Sequence, residues 1–283
     1  MPAELFWEEA PARVERAIRI NRTRLLGRLG RIPDPSLPGG ARAVLYRTGV
    51  PWSWLNGVAD LEVGERHLEE SVGALVRWGN RGHVPWSFWV PDEEESGPLP
   101  GLLLSYGLDR EEELAGLAID LREARQPAPV VPGLLTQRVG SESDFRLFLF
   151  AWSRAVQPAT PAVPELLAQW WVERDLKSDA SLRLLLGLVD GRPAATALLF
   201  VEGSVAGIYG LAVDPQYRGQ HVATAMVHIA LRTAAGFGLS GAVTTVPEAS
   251  SGPFRRLGFA QYDHVSRFAI DPAEVPAFER DPP

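Results

Sequence analysis

A proline-rich stretch near the middle of the chain limits the fold more than any other part of the sequence. It reads REARQPAPVVPG over residues 122–133. Proline has a fixed φ and no amide hydrogen, so it continues neither a helix nor a central strand. At 283 residues the chain can form two modest domains, each with its own core. We therefore predict a boundary near Gln126–Gly133, which separates a domain of residues 1–128 from one of residues 133–272.

The two halves repeat a similar order of predicted elements. In the first half, the strands ARAVLYRTG and WSWLNGVADL precede a helix over residues 66–78, a strand, a short helix and a closing strand. In the second half, a strand and two helices precede a three-strand meander, which ends in SVAGIYGLAVDP. Asp190-Gly191 between the first two meander strands predicts a tight hairpin, because both turn positions favour positive φ.

Composition and charge exclude several classes of function. The chain has no cysteine, which removes disulfides, thiolate nucleophiles and cysteine-based metal sites. Its net charge of -7 argues against non-specific nucleic-acid binding, which depends on basic surface patches. The first residues lack a signal-peptide pattern, and no apolar run is long enough to span a membrane. We therefore expect a cytoplasmic protein that binds neither nucleic acid nor membrane.

The remaining charged and metal-ligating residues suggest no further site. Arginines 22, 24, 28 and 31 cluster on the first predicted helix, where we interpret them as a solvated helix face. His221 and His228 lie seven residues apart on another helix, too far apart to share a metal ion. We expect no metal.

The segment YRGQHVATAM, residues 217–226, stands between a strand and a predicted helix. The first amides of a helix have no intrahelical partner, and the helix dipole adds positive potential, so an anion fits there. Gly219 lets the backbone approach closely, and Arg218 adds a positive charge. On spacing alone, a plain helix entry remains the alternative. We call residues 218–224 the Arg-Gly corner.

The elements around this corner resemble the GNAT superfamily of acyl-CoA-dependent N-acyltransferases. The resemblance covers about residues 133–270 and rests on the meander, on LAVDPQYRGQHVATAM and on FRRLGF. It implies an α/β (α+β) fold with two GNAT-like lobes, each a mixed, mostly antiparallel twisted sheet flanked by helices. It also implies acetyl-CoA (coenzyme A) as co-substrate, and a primary amine of a small molecule or peptide as acceptor.

The family's motif Arg/Gln-x-x-Gly-x-Gly/Ala follows its fourth strand and holds the coenzyme A pyrophosphate through backbone amides. It maps onto Arg218–Ala223, and the preceding strand end matches the segment that pairs with the pantetheine arm. The residues that the resemblance assigns to coenzyme binding are Leu211, Ala212, Val213, Arg218, Gly219, Gln220, His221, Val222, Ala223 and Thr224.

Two positions depart from the family pattern. His221 stands where the family usually has glycine, and a histidine is tolerable there if its φ is negative. Phe254 stands in the segment where the family often has a tyrosine that protonates the leaving thiolate. Phenylalanine cannot donate a proton, so the proton donor has to be sought elsewhere.

The first half looks like the degenerate amino-terminal lobe of tandem members of the superfamily. It has no Arg-x-x-Gly corner. Instead, Glu62, Glu65, Glu69 and Glu70 crowd the start of its helix and would repel a pyrophosphate. We therefore expect one coenzyme site, in the second half.

The resemblance implies direct attack of an amine on the thioester, and two residues are candidates for catalysis. A neutral amine needs a base, because amines with a pKa near 10 are mostly protonated at neutral pH. Glu248, after the fifth strand, is the candidate base, and a solvated loop carboxylate is the alternative. Strand alternation places Tyr209 on the same face as Leu211 and Val213, which makes it a candidate proton relay or substrate contact. A tyrosine packed over the sheet is the alternative.

The acceptor is not specified by these motifs. Trp152, Trp170 and Trp171 lie on the two helices that roof the acceptor site in the family, where they either pack in the core or line an aromatic pocket. The leading prediction is an N-acetyltransferase, active as a monomer or homodimer. The alternatives are a tandem acyltransferase for a thiol-precursor or antibiotic amine, and a non-catalytic acyl-CoA-binding or interaction protein.

Overall fold

The computed structural model describes residues 11–32, 37–124, 129–158, 160–173 and 178–273. The first half of the chain contains four helices and four strands among these residues. The helices are α1 (Pro11–Gly30), α2 (Leu68–Asn80), α3 (Asp92–Glu95) and α4 (Leu99–Ser105), and the strands are β1 (Arg42–Arg47), β2 (Asn56–Glu62), β3 (Trp86–Pro91) and β4 (Asp109–Asp120).

The second half follows the predicted order of strand, two helices and meander. Its helices are α5 (Glu142–Val156), α6 (Val163–Glu173), α7 (Val222–Gly236) and α8 (Gly252–Arg256). Its strands are β5 (Leu134–Arg138), β6 (Leu182–Val189), β7 (Arg192–Glu202), β8 (Val205–Val213), β9 (Gly241–Pro247) and β10 (Ala260–Ile270). The predicted hairpin is confirmed: β6 pairs with β7 in antiparallel fashion, and Asp190 and Gly191 have φ angles of 50° and 76°.

By their internal packing the described residues divide into two compact units. Unit 1 comprises the described residues of Met1–Arg22 and Ala115–Tyr262, and unit 2 comprises those of Thr23–Leu114 and Asp263–Pro283. The divisions fall inside α1, β4 and β10, not in the proline-rich stretch, of which residues 125–128 lie outside the described residues. Prolines in a sequence indicate where helices and strands end, whereas the division into compact units depends on which side chains pack together. The assignment of 1–128 and 133–272 as domains stays a prediction.

Unit 1 is built on the strand order β4-β9-β8-β7-β6-β5. The pairs from β5 to β8 are antiparallel, and β8 pairs with β9 in parallel fashion through the crossover helix α7. Helix α7 buries Val222, Met226 and Ala230 in the main core cluster, together with Ala195 and Leu199 of β7. The start of α1 contributes Val14 and Ile18 to a second cluster with Val205 and Val243.

Unit 2 contains the strand order β1-β2-β3-β10. Strands β1 and β2 pair in antiparallel fashion, β2 and β3 in parallel fashion, and β3 and β10 in antiparallel fashion. Its core holds the apolar face of α2 against Trp86, Phe88 and Phe268. Within the described ranges, none of the helices combines the length and the apolar character that crossing a bilayer requires.

Candidate functional site

The Arg-Gly corner joins the end of β8 to the start of α7. A single 3-10 turn, Pro215–Tyr217, follows the strand, and the Asp214 carboxylate caps it by accepting a hydrogen bond of 3.0 Å from the Gln216 amide. Gly219 has a φ of 77°, in the left-handed region. A side chain at this glycine would meet no heavy atom within 4 Å, so its backbone lies open to an approaching ligand.

A cleft of about 270 Å³ opens at this corner. Its lining residues are Val213, Tyr217, Arg218, Gly219, His221, Val222, Ala223, Thr224 and Arg256. Seven of the ten residues assigned to coenzyme binding are among them, whereas Leu211, Ala212 and Gln220 are not. Most of the residues that the motif assigns to coenzyme binding therefore line one cleft.

The start of α7 makes this cleft electropositive. The first amides of a helix have no intrahelical acceptor, and the helix dipole places partial positive charge at the same end. The helix cap, His221, makes no side-chain capping hydrogen bond, and the first turn of α7 contains no acidic residue. An anion in the cleft would therefore find unoccupied amide donors and no carboxylate in that turn.

The condition of a negative φ at His221 is not met. Its φ is 62°, in the left-handed region, instead of negative. The corner needs this conformation to turn the chain into α7, and glycine would adopt it without the Cβ penalty. The histidine is exposed, so its imidazole is accommodated by solvent and not by a changed backbone.

Arg218 contacts the protein backbone on both sides of the corner. Its Nε donates to the Val213 carbonyl at 3.2 Å, and its Nη2 donates to the Ala155 carbonyl at 2.9 Å, near the carboxyl end of α5. Arg154 on the same turn of α5 forms an ion pair with Asp214, which is buried. The hydrogen bond from Arg154 lowers the pKa of the Asp214 carboxyl below its ordinary value. The two arginines thus fasten the corner to α5.

Arg256 brings a second guanidinium to the cleft, and we did not predict it from the sequence. Its Nε donates to the Thr224 hydroxyl at 3.2 Å, and the residue is exposed. Its neighbour Arg255 instead pairs with Glu248 at 2.9 Å. The two adjacent arginines of FRRLGF were the available signal, but only the packing of α8 distinguishes the one that lines the cleft.

Strands β8 and β9 separate beyond their first residues. Pairs are recorded from Val205–Gly207 to Gly241–Val243, although β8 continues to Val213 and β9 to Pro247. The Thr244 hydroxyl donates to the Ile208 carbonyl at 2.6 Å where the ladder stops. We call the space between residues 208–213 and 244–247 the strand opening.

A β-bulge in β8 changes which face Tyr209 occupies. Tyr209 pairs with Leu198 and Ala212 with Thr196, so β8 has one more residue than β7 in this interval. Gly210 has a φ of 57° at that point. Since the bulge reverses the alternation, Tyr209 lies on the face opposite Leu211 and Val213, which pack on the α7 core. The predicted common face is therefore wrong.

Helix α1 contacts both strands beside the opening. The Tyr209 hydroxyl donates to Asn21 Oδ1 at 2.8 Å, and Arg22 Nη1 donates to the Thr245 hydroxyl at 3.4 Å. Asn21 and Arg22 are 1% and 4% exposed, so the predicted solvated face is wrong for Arg22. Burial raises the pKa of Tyr209 above its ordinary value near 10, and the Arg22 charge partly opposes this shift. The Tyr209 phenol is thus un-ionised at neutral pH.

The other predicted polar candidate, Glu248, lies in the 3-10 turn after β9. Arg255 donates to its carboxylate at 2.9 Å, and the Ser251 hydroxyl is 3.5 Å from the same oxygen. The side chain is 57% exposed, so solvent screens this ion pair. The Glu248 carboxylate can serve as a proton acceptor through a bridging water, and Arg255 contacts it from one side.

The aromatic residues near the site are packed in cores. Phe254 is fully buried and makes an edge-to-face contact with Phe259 at 5.3 Å, so no proton donor replaces the family's tyrosine at this position. Trp152, Trp170 and Trp171 are 7–8% exposed, and Trp171 stacks on Phe145 at 4.4 Å. Core packing therefore describes these tryptophans in the present structure.

Residues 145–259 match the model of the Acetyltransferase (GNAT) family. The chain carries a GNAT domain. The matched range includes the meander, the Arg-Gly corner and α8, so the family assignment from the motifs is confirmed. The predicted fold class, α/β with mixed and mostly antiparallel sheets flanked by helices, is confirmed as well.

Solved structures extend the likeness beyond the GNAT domain. A GCN5-related N-acetyltransferase from Kribbella flavida is 18% identical, with a TM-score of 0.64 over 89% of this chain and 95% of that chain. Another from Sphaerobacter thermophilus is also 18% identical, with a TM-score of 0.56 over 93% of each chain. A functionally unknown conserved protein from Staphylococcus epidermidis is 12% identical, with a TM-score of 0.64 over 86% and 94%. At these identities the likeness shows a shared fold.

Among the described residues, no group of three or more histidine, aspartate or glutamate side chains is arranged to hold a metal ion. His228 is 6% exposed, and burial lowers its pKa. It packs within α7 and faces no cluster of metal-ligating groups in the described part of the chain.

Proposed function

We propose that this protein is an N-acetyltransferase that transfers an acetyl group from acetyl-CoA to a primary amine of a small molecule or peptide. The observation that carries the proposal is the Arg-Gly corner: a cleft at the start of α7, with left-handed backbone at Gly219 and a guanidinium on its rim. This geometry occurs inside a GNAT domain.

The residues of the cleft fit a pyrophosphate. The amides at the start of α7 supply donors, and Gly219 leaves open space where a side chain would obstruct a phosphate. Arg256 and the Thr224 hydroxyl add a charged and a neutral donor from one side. In this proposal Arg218 supports the corner through the Val213 and Ala155 carbonyls, and Arg256 provides the cation that faces the ligand.

The end of β8 leads from the cleft to the strand opening. Residues 211–213 have no recorded partner on β9, so this side of β8 is free to pair with the amide groups of a pantetheine arm. We infer that the acyl end of the co-substrate reaches the opening near Tyr209, where the acyl thioester supplies the carbonyl carbon that the amine attacks.

One proton leaves the attacking nitrogen and one reaches the departing sulfur as the C–N bond forms and the C–S bond breaks. The transfer therefore needs a proton acceptor and a proton donor. We assign the acceptor to Glu248, acting through water, and the donor to Tyr209, whose hydroxyl turns its one proton from Asn21 Oδ1 to the departing sulfur as the C–S bond breaks. Exchange with solvent restores both groups after each transfer. Most of the rate enhancement is expected from holding the two reactants together.

The test is to incubate the purified protein with acetyl-CoA and a panel of primary amines, while following the release of free thiol and the mass of the acetylated products. Calorimetric titration with coenzyme A measures binding separately. Thiol release that depends on an amine, with a matching acetylated product, supports the proposal. Failure to bind coenzyme A in a folded protein would contradict it.

A second candidate function is a non-catalytic acyl-CoA-binding protein. The observation that favours it is Phe254, which is buried where the family often has its proton donor. Coenzyme binding of ordinary affinity, without transfer to any amine in the panel, would select this candidate. Transfer that is lost on replacing Tyr209 would reject it.

A further inference from the structure

Two consecutive residues of α1 bridge the strand opening. Asn21 contacts β8 through the Tyr209 hydroxyl, and Arg22 contacts β9 through the Thr245 hydroxyl. The contact between Asn21 and Tyr209 joins residues 188 positions apart in the sequence. No motif marks Asn21, so its position beside the proposed reaction site emerges only from the fold.

The position of Asn21 depends on the glycine beneath it. A Cβ atom added to Gly207 would lie 2.0 Å from Asn21 Oδ1 and 2.3 Å from Tyr209 Cε2. Atoms at these distances would clash, so any larger residue at 207 would displace the pair. Gly207 is also the last residue of β8 that pairs with β9. The asparagine amide and the tyrosine ring therefore meet where the strand opening begins.

One half of the Asn21 amide has no partner. Oδ1 accepts the Tyr209 hydroxyl, but Nδ2 has no hydrogen-bond acceptor among the described residues, although the residue is 1% exposed. Buried polar groups are nearly always paired, because an unmade hydrogen bond leaves the cost of desolvation uncompensated. The unpaired Nδ2 donor at the start of the strand opening is explained if an oxygen atom of a bound ligand accepts a hydrogen bond from it.

We propose that Asn21 is a substrate-positioning residue, which anchors the Tyr209 hydroxyl through Oδ1 and donates through Nδ2 to the carbonyl oxygen of the bound acyl group. The proposal rests on the proposed function. It deepens that function by giving α1, outside the matched range 145–259, a part in the acyl-transfer site. Asn21 itself neither gains nor loses a proton, since an amide is not ionised.

Two substitutions separate the two parts of this role. Asn21→Asp keeps an oxygen for the Tyr209 hydroxyl but replaces the N–H donor by a carboxylate oxygen, which repels a carbonyl oxygen. Asn21→Leu removes both contacts at similar size. Thr23→Val is a matched control on α1, because it removes one hydrogen bond, from the Thr23 hydroxyl to Asp60 at 2.6 Å, without touching β8.

The first measurement compares the dissociation constants of acetyl-CoA and free coenzyme A, and it needs no acceptor. Asn21→Asp and Asn21→Leu are expected to weaken acetyl-CoA binding about five- to ten-fold, the usual value of one hydrogen bond, and coenzyme A binding less than about two-fold. Thr23→Val is expected to change neither dissociation constant. Equal losses for both ligands, or no loss for either, would overturn the proposal. Failure of the unchanged protein to bind coenzyme A would instead overturn the proposed function.

The second measurement is a double-mutant cycle on turnover with Tyr209→Phe. If Asn21 acts through Tyr209, the loss in kcat from Asn21→Leu and from Tyr209→Phe is less than multiplicative in the double variant. Independent, multiplicative losses would show that Asn21 does not position Tyr209. Should Asn21→Leu fail to fold, Asn21→Asp takes its place in the acetyl-CoA comparison and Asn21→Ser takes its place in the cycle.

Discussion

Each unit contains a connection from a strand to a helix, β2 to α2 in unit 2 and β8 to α7 in unit 1. The two connections have a similar backbone where they leave the strand, but they differ in length and in the charge at the start of the helix. Strands β2 and β8 each carry a bulge, marked by positive φ at Asp60 (51°) and Gly210 (57°), and in each case a 3-10 turn begins five residues later. In unit 2, the turn Glu65–His67 runs directly into α2. In unit 1, the turn Pro215–Tyr217 is followed by residues 218–221 before α7 begins.

These four additional residues are the difference between the two connections. They include the left-handed Gly219 and His221, and they lead into a helix whose first turn has no acidic residue. Helix α2 instead begins with Glu69 and Glu70, after Glu65 in its turn. A similar backbone therefore does not imply a similar site: the proposed anion-binding site differs from its counterpart by four additional residues and by the absence of acidic residues from one helical turn.

The largest expected effect comes from giving α7 the acidic start of α2. Ala223 lies in the first turn of α7 and lines the cleft. In Ala223→Glu, a carboxylate about 5 Å from a pyrophosphate charge costs about 3 kcal/mol at an effective dielectric constant of 20, which is roughly a 100-fold loss of coenzyme A affinity. Calorimetric titration with coenzyme A measures this loss of affinity. Glu69→Ala in α2 is the control and should leave affinity and a 1:1 stoichiometry unchanged.

A second difference between the units is the residue just before the bulge, which is Tyr209 in β8 and Ala59 in β2. Tyr209→Phe removes only the hydroxyl and is expected to lower kcat about 100-fold, a typical value for a lost general acid. Coenzyme A affinity should change less than about two-fold. Tyr262→Phe, also in unit 1, is the control.

The pH dependence of the rate, compared between the wild type and Tyr209→Phe, follows from the raised pKa of Tyr209. Because burial raises its pKa above about 10, the phenol stays protonated as pH rises through neutrality. The wild-type rate should therefore show no alkaline decline from this group below about pH 10. A decline near pH 8 that disappears in Tyr209→Phe would contradict the assignment of Tyr209 as the donor.

The short helices α8 and α4 differ in the residue two positions before a left-handed glycine. It is Arg256 before Gly258 in unit 1 and Ser105 before Gly107 in unit 2. Arg256→Gln is expected to weaken coenzyme A binding about 10-fold, the value of one charged hydrogen bond. Arg255→Gln, which removes the partner of Glu248, should weaken it less than about two-fold. Equal effects of the two variants would show that Arg256 has no special contact with the ligand.

Local signals and long-range packing explain which parts of this site could be predicted. The hairpin at Asp190-Gly191 and most of the cleft lining were predictable, because turn chemistry and the start of a helix are local properties. The bulge at Gly210 was not, since a glycine within a strand does not reveal which residue goes unpaired. The position of Asn21 and the anchoring of Arg218 depend on α1 and α5, which pack from distant parts of the chain.

The smallest effect concerns the left-handed corner itself. His221 holds a φ of 62°, which costs a residue with a Cβ about 1–2 kcal/mol, and glycine recovers this at an entropic cost of about 0.4–1 kcal/mol in the unfolded chain. His221→Gly should therefore raise the free energy of unfolding in urea by about 0.5–1 kcal/mol. Gly219→Ala, at a φ of 77°, should lower it by a similar amount. If His221→Gly also weakens coenzyme A binding more than about two-fold, the imidazole contacts the ligand, and His221 would join Arg256 among the side chains that distinguish this connection from the one between β2 and α2.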